Sequence, residues 1–283
     1  MRIITTILEM QQVADELRQS GKRIGVVPTM GYLHEGHLSL IQIARQHSNA
    51  VIVTLFVNPM QFGPSEDFKK YPRDFERDKK LTETAGADFL FVPSKEEMYP
   101  GSNLTVVDVE KITRVLEGNF RPTHFRGVTT VVVKLFNITK PHIVVFGQKD
   151  AQQAIIVQKL VKDLDFDIKI FIGPTVREPD GLAMSSRNVY LSPTERKDST
   201  VLYQSLRLAQ QLIDEGERNC SIIISEMSKL ITSKPSAKID YISITDASSL
   251  EDLAVLRSND YILISLAVRF GTTRLIDNIL LTI

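Results

Sequence analysis

KRIGVVPTMGYLHEGHLSL, residues 22–40, joins two hydrophobic periods through one short loop. Lys22–Pro28 is a continuous β-branched run and predicts a buried strand. Gly36–Ser48 follows as a helix with Leu38, Ile41 and Ala44 on one face. The alternation continues along the chain. Ala50–Val57 reads as a second strand, Asp74–Ala85 as a charged, exposed helix and Asp88–Val92 as a third strand. His124–Thr139 is too long for an ordinary strand and reads as a helix despite its valines. His142–Phe146 and Asp167–Ile172 then bracket the helix Ala151–Leu164. Strands separated by helices predict an α/β fold, a Rossmann-like doubly wound parallel sheet with helices on both faces.

The pattern changes near Pro174. Ser192-Pro193-Thr194-Glu195 combines a Ser cap, Pro at the first helical position and a Glu placed to close a capping box. A long helix to about Gly216 is expected, then one over Ile222–Thr232, then strands at Tyr241–Thr245, Tyr261–Val268 and Thr273–Leu281. The expected division is residues 1–175 as the Rossmann-like domain and residues 176–283 as a smaller α+β domain.

Composition narrows the function. The 283 residues carry 34 Lys plus Arg against 34 Asp plus Glu. This balance argues against a protein that grips nucleic-acid phosphates. The single cysteine, Cys220, forms no internal disulfide and has no Cys/His cluster around it, which fits a reducing compartment. No stretch approaches the roughly 20 apolar residues of a membrane span, and MRIITTILEM lacks a signal-peptide pattern. A soluble, cytoplasmic protein that binds neither nucleic acid nor membrane is the expectation.

The chemistry concentrates where the first of these runs ends. Ligands of an open parallel sheet bind at the carboxyl ends of strands, and Pro28-Thr29-Met30-Gly31 runs from such an end into His34-Glu35-Gly36-His37. Histidines at i and i+3 project to one side of a helix start. Gly36 lets a ligand approach the backbone, and the helix N-terminus favours phosphate. A zinc protease needs His-Glu-x-x-His, one residue longer, and a P-loop needs Gly-x-x-x-x-Gly-Lys-Ser/Thr, absent here. Two histidines that merely cap a helix are the plain alternative.

The His-x-Gly-His spacing resembles the signature of nucleotidyltransferases and class I aminoacyl-tRNA synthetases, whose second element is a Met-Ser-rich basic loop. Met184-Ser185-Ser186-Arg187-Asn188 answers that description, with hydroxyls to donate to phosphate oxygens and a planar guanidinium for bidentate contact. Beyond these, PTMGYLHEGHLSL (28–40), FVNPMQFGPSEDFKKYPR (56–73), LEGNFRPTHFRGV (116–128), FGQKD (146–150), DGLAMSSRNVYL (180–191) and RFGTTRLIDN (269–278) resemble the pantoate–β-alanine ligase (pantothenate synthetase) family over nearly the whole chain.

That resemblance implies an ATP-dependent ligase that condenses pantoate with β-alanine through a pantoyl adenylate, releasing AMP and pyrophosphate. It implies a homodimer, with ATP as co-substrate and Mg²⁺ expected beside it; no metal ligands are readable. Met30, Gly31, Tyr32, Leu33, His34, Glu35, Gly36 and His37 would line the ATP site, with His34, His37 and Lys149 catalytic. Gly147, Gln148, Lys149 and Asp150 would meet the nucleotide, Lys149 as the cation for the triphosphate. Val176 and Met184 would frame the adenine, and Ser185, Ser186 and Arg187 would hold phosphate. Asn58, Gln61 and Gln153 would meet pantoate, and Gln61 would also border β-alanine.

Some readings stay open at this level. Asp150 with Gln153 also makes a good helix cap and capping box. Ser65–Arg73 is a solvated loop or a lid over a labile adenylate. Glu117 and Arg121 belong to a site wall or to a structural ion pair. A nucleotidyltransferase of the same superfamily acting on another small substrate is the enzymatic alternative, and a non-enzymatic nucleotide-binding module is the structural one.

Overall fold

Runs of Val and Ile on both sides of a strand leave no face for water, so such strands form only where helices cover both sides. The computed structural model describes every residue except Ser65 and Ser102. Its strands are β1 (Arg2–Ile4), β2 (Ile24–Thr29), β3 (Ala50–Leu55), β4 (Phe89–Phe91), β5 (Ile143–Gly147), β6 (Lys169–Gly173), β7 (Ala237–Asp246), β8 (Tyr261–Phe270) and β9 (Thr273–Thr282). Its helices are α1 (Ile7–Gln19), α2 (Glu35–His47), α3 (Phe75–Thr84), α4 (Lys95–Met98), α5 (Glu117–Phe120), α6 (His124–Thr139), α7 (Ala151–Asp163), α8 (Pro193–Asp198), α9 (Val201–Asp214) and α10 (Cys220–Thr232). The chain divides into two compact units. One holds Met1–Arg114, Gly118–Gln148 and Gln152–Pro174; the other holds Val115–Glu117, Lys149–Ala151 and Thr175–Ile283.

The first unit is built on a six-stranded sheet of order β1-β4-β3-β2-β5-β6, parallel at every pairing. Alternation along the central strands divides their side chains between two cores. Ile24 and Val26 of β2, with Ala50 and Ile52 of β3, pack with α1, α6 and α7. Val27 of β2, with Val51 and Val53 of β3, packs with Leu40, Ile41 and Ala44 of α2. Each Ile, Val or Leu among them contributes about 1.5–3 kcal/mol on burial, which is enough to set the register without help from polar groups. The connection from β2 leads to β3 on one side, while β5 flanks β2 on the other. Strand order therefore reverses at β2 and β5, and the crevice beyond their carboxyl ends is the ligand site of this architecture.

The second unit is a three-stranded antiparallel sheet, β7-β8-β9. Ile262, Ile264, Leu266, Val268 and Phe270 of β8 share one face with the buried residues of α9 and α10. The capping box at Ser192 and Glu195 is present.

Three expectations need correction. A strand at Arg2–Ile4 precedes the one read as first, and at 3 residues it is too short to show a period. The long helix expected from Ser192 to about Gly216 is two helices, α8 and α9. Ser199 and Thr200 sit at the break, and their hydroxyls donate to the carbonyls of Arg196 (2.8 Å) and Lys197 (2.9 Å); such local bonds compete with the helical ladder. The helix expected at Asp74–Ala85 is not wholly exposed, because Asp78 and Thr82 are buried.

His142 closes the sheet at the amino end of β5. Its Nδ1 accepts from the Ile24 N–H at 3.0 Å, and its own backbone N–H donates to the Ile24 carbonyl at 2.9 Å. Burial, then the charges of Arg18 and Arg23, hold the imidazole below its ordinary value of 6.5. A base whose folded value is depressed binds fewer protons folded than unfolded, so its stabilisation is complete above about 6.5 and is lost as pH falls toward the folded value. The thermal midpoint is expected to fall as pH is lowered from about 7.5 to about 5. In His142→Asn, whose amide oxygen accepts without titrating, that part of the slope should flatten.

Candidate active site

The loop between β2 and α2 makes its turn with two consecutive residues at positive φ, Gly31 (87°) and Tyr32 (51°). A non-glycine residue is uncommon in this region and is held there by its surroundings. Here the holder is Asp78, reaching in from α3. One carboxylate oxygen accepts from the Tyr32 N–H and the other from the Leu33 N–H, each at 2.7 Å. Arg77 lies over the Tyr32 ring, 5.0 Å from its centroid. Burial raises the Asp78 carboxyl, and the two N–H donors oppose that rise.

Leu33, fully buried, leads the chain into α2, with His34 as the N-cap in extended conformation. Glu35 and Gly36 open the first turn. The His34 N–H donates to Nδ1 of His37 at 3.3 Å, so the neutral His37 ring carries its proton on Nε2. The two rings lie 4.1 Å apart between centroids. Capping and pairing coexist: the histidines close the helix start, and they also bring two imidazoles together at its positive end.

A second cluster follows β3. Asn58 caps the single 3₁₀ turn Pro59–Gln61, accepting from the Met60 N–H at 3.3 Å. Its Nδ2 donates to the Gly127 carbonyl at 3.0 Å and to Gln61 Oε1 at 3.2 Å. The Tyr99 hydroxyl, pushed up to about 12 by burial, donates to Asn58 Oδ1 at 2.9 Å. Gln61 in turn points Nε2 at the Met30 sulfur, 2.9 Å away, so the structure joins this turn to the β2–α2 loop.

The Gln61 carbonyl accepts from His124 Nδ1 at 2.8 Å and from Arg121 at 3.2 Å. A carbonyl only accepts, so His124 holds its proton on Nδ1, and Nε2 accepts from Arg121 at 3.2 Å. Arg121 also pairs with Glu66 through three contacts of 2.5–3.1 Å. Burial alone would raise the Glu66 carboxyl; the hydrogen bond and charge of Arg121 outweigh it and hold the group below its usual range. Arg121 is thus both an ion-pair partner and a wall of this cluster.

Glu117 resolves differently. It receives two hydrogen bonds from Arg274, at 2.5 and 2.9 Å, and one from the Tyr241 hydroxyl at 3.0 Å, so it is the structural ion pair. Of the loop Ser65–Arg73, Ser65 lies outside the described residues. Tyr71 is buried, Phe62 packs edge-on against Phe68 and Tyr71, and Arg73 donates to the carbonyls of Tyr71 and Phe68. This segment is anchored rather than simply solvated.

Gly147 ends β5, Gln148–Asp150 form one 3₁₀ turn, and Gln153 stands half-buried in the first turn of α7. Gln61, the two histidines, Gly147 and Gln153 therefore all lie at the carboxyl edge of the parallel sheet. Lys149 lies 3.5 Å from Asp150, and its carbonyl accepts from Asn278 of β9 at 2.9 Å.

In the second unit the Met184 N–H donates to the Val176 carbonyl at 3.0 Å, which brings those two residues together across a short hairpin that turns at Gly181. Arg177 steadies this hairpin through Asp277 (2.6 and 2.9 Å) and the Gly181 carbonyl (3.0 Å). Ser185 caps the turn Ser186–Tyr190, accepting from the Arg187 N–H at 3.2 Å.

The family model of pantoate-beta-alanine ligase matches residues 2–280. This chain belongs to the pantoate–β-alanine ligase family. Pantothenate synthetase of Thermoanaerobacter sp. (strain X514) is 55% identical over 280 residues, 99% of this chain and 98% of the relative. That of Chloroherpeton thalassium is 54% identical over 279 residues, 98% of each. Among solved structures, pantothenate synthetase from Thermus thermophilus aligns with TM-score 0.92 and 42% identity over 99% of each chain. Pantoate-beta-alanine ligase from Francisella tularensis, complexed with beta-gamma ATP and beta-alanine, aligns with TM-score 0.81 and 36% identity over 99% of this chain and 97% of that one. The chain is accordingly an enzyme of that family, a ligase that forms a carbon–nitrogen bond.

Sequence reading missed Asp78, Tyr99, Glu66 and His124 as supports of the cluster. Gly127 carried a usable signal. A glycine inside a helical pattern marks close backbone approach, and a Cβ there would stand 2.3 Å from the Met60 carbonyl oxygen. Asp78 carried none, because its helix reads as charged throughout. Asp78→Ala would leave two N–H groups unsatisfied, at about 1–3 kcal/mol each. A lowered unfolding midpoint together with a raised KM for ATP is expected, and Asp78→Asn should be milder because it keeps one acceptor.

Proposed function

We propose that the enzyme makes its amide in two steps. The carboxylate of (R)-pantoate attacks the α-phosphorus of ATP, forming an acyl–phosphate bond and expelling pyrophosphate. The β-alanine amine then attacks the acyl carbon, loses a proton and releases AMP. Both nucleophiles come from substrates, so catalysis rests on positioning and charge stabilisation.

One observation carries this reading. Two imidazoles sit at the N-terminus of α2, and hydrogen bonding leaves the His37 proton on Nε2 as a donor. Donors and a helix dipole at one point suit the charge that develops on a phosphoryl group during transfer. Met30–His37 line the ATP site, Lys149 answers the triphosphate charge, and Gly147, Gln148 and Asp150 border the nucleotide. Val176 and Met184 frame the adenine, while Ser185, Ser186 and Arg187 bind phosphate. Asn58, Gln61 and Gln153 form the pantoate side, Asn58 by holding the Gln61 amide rather than by a hydrogen bond of its own to the substrate, with Gln61 bordering β-alanine. The Francisella relative's complex with beta-gamma ATP and beta-alanine supports the choice of ligands.

Among the described residues no group of three His, Cys, Asp or Glu side chains is arranged to hold a metal. The Mg²⁺ expected with ATP would enter on the phosphates. The segment from Glu66 to Arg73 is proposed to exclude water from the adenylate. The functional form is proposed to be a cytoplasmic homodimer; light scattering at twice the monomer mass of 31.9 kDa would agree with the dimer.

ATP–pyrophosphate exchange tests the proposal directly. Exchange should require pantoate and proceed without β-alanine. His37→Ala and Lys149→Ala should each lose about 2.7–4 kcal/mol of transition-state stabilisation, the size seen on removing one oxyanion donor. Exchange that ignores pantoate would refute the reading.

A further inference from the structure

The buried amide of Asn58 has no hydrogen-bonding capacity left for a substrate. Its Oδ1 accepts from the Tyr99 hydroxyl and the Met60 N–H, and its Nδ2 donates to the Gly127 carbonyl and to Gln61 Oε1. An Asn side chain offers two donors and two acceptor lone pairs, and all four are used. The two main-chain partners also settle which end is which: an N–H needs the oxygen, and a carbonyl needs the nitrogen. Asn58 is 1% exposed, so breaking any of these bonds would leave a desolvated polar group unmatched.

That saturation has a direction. Because Asn58 turns a donor toward Gln61, the Gln61 amide must offer its oxygen to Asn58 and its NH₂ elsewhere. The described partner of that NH₂ is the Met30 sulfur, a weak acceptor. Gln61 thus keeps unspent donor capacity and no spare reason to turn its oxygen outward. We propose that Tyr99 and Asn58 are positioning residues that lock the polarity of the Gln61 amide, so that Gln61 meets its substrate as a hydrogen-bond donor and selects an acid over its neutral amide. Tyr99 is the outer anchor of this relay, acting on Gln61 through its hydrogen bond to Asn58. The inference rests on the proposed pantoate site and assigns its discriminating contact.

Two variants test it in pantoate-dependent ATP–pyrophosphate exchange. Tyr99→Phe removes one hydroxyl and keeps the ring; it should raise KM for pantoate about tenfold, one lost hydrogen bond, while KM for ATP changes less than about twofold. Asn58→Asp retains the shape but cannot donate to Gln61 as a carboxylate. Gln61 should then reverse, turning its oxygen toward the substrate. The ratio of inhibition by pantoamide to affinity for pantoate should rise by about 100-fold, the sum of two hydrogen-bond changes. A role that merely stabilises the fold would depress both ligands and ATP together, and an unchanged pantoate-to-pantoamide ratio in Asn58→Asp would overturn the inference. So would a wild-type KM for pantoate in Tyr99→Phe. Absence of pantoate-dependent exchange in the wild type would instead remove the proposed function beneath it.

Discussion

One buried carboxylate governs the geometry of the loop between β2 and α2. Asp78 ties down the backbone N–H groups of Tyr32 and Leu33, and this bond pair holds the left-handed bend at Gly31 and Tyr32. The bend sets where α2 begins, and its beginning sets where His34 and His37 stand. Capping groups on a helix usually come from the residues just before it. Here α3 supplies the restraint from 45 residues farther along the chain. The carboxylate tolerates burial because both oxygens accept from N–H groups, which offsets much of its lost hydration.

The same economy of unsatisfied groups recurs around Gln61. Its carbonyl is held by His124 and Arg121, its side-chain oxygen by Asn58, and Asn58 by Tyr99. Each member has a defined donor or acceptor role, so the cluster is specified in polarity as well as position. A buried polar network of this kind is rigid when complete and unfavourable when any member is removed. Exposed ion pairs such as Lys229–Glu226 contribute little by comparison, because water screens them and their side chains lose freedom on pairing. The partly buried pairs Arg121–Glu66, Arg177–Asp277 and Arg274–Glu117 act differently. They fix loops in place, and losing one partner would strand the other charge.

Reading the chain in order recovered what depends on neighbours in sequence. Hydrophobic period located the central strands, α2, α6 and the helix–strand order of the parallel sheet. His34 and His37, three apart at a helix start, were legible because the α-helix itself brings i and i+3 together. The Ser192 capping box was legible for the same local reason. The short edge strand β1 was not, since 3 residues carry no period and only pairing with β4 makes them a strand.

What the sequence alone determined is therefore the α/β class and the two-histidine element at the carboxyl edge of the sheet, both consequences of spacing along one backbone. What only the tertiary structure decided is how the polar groups divide their hydrogen bonds. Asp78 looked like one more charge on an exposed helix, and no spacing along the chain pairs Tyr99 with Asn58. Glu117 and Arg121 looked alike until one met Arg274 and the other met Gln61. Donor and acceptor satisfaction is a property of groups that meet across the fold, and no periodicity along the chain encodes it.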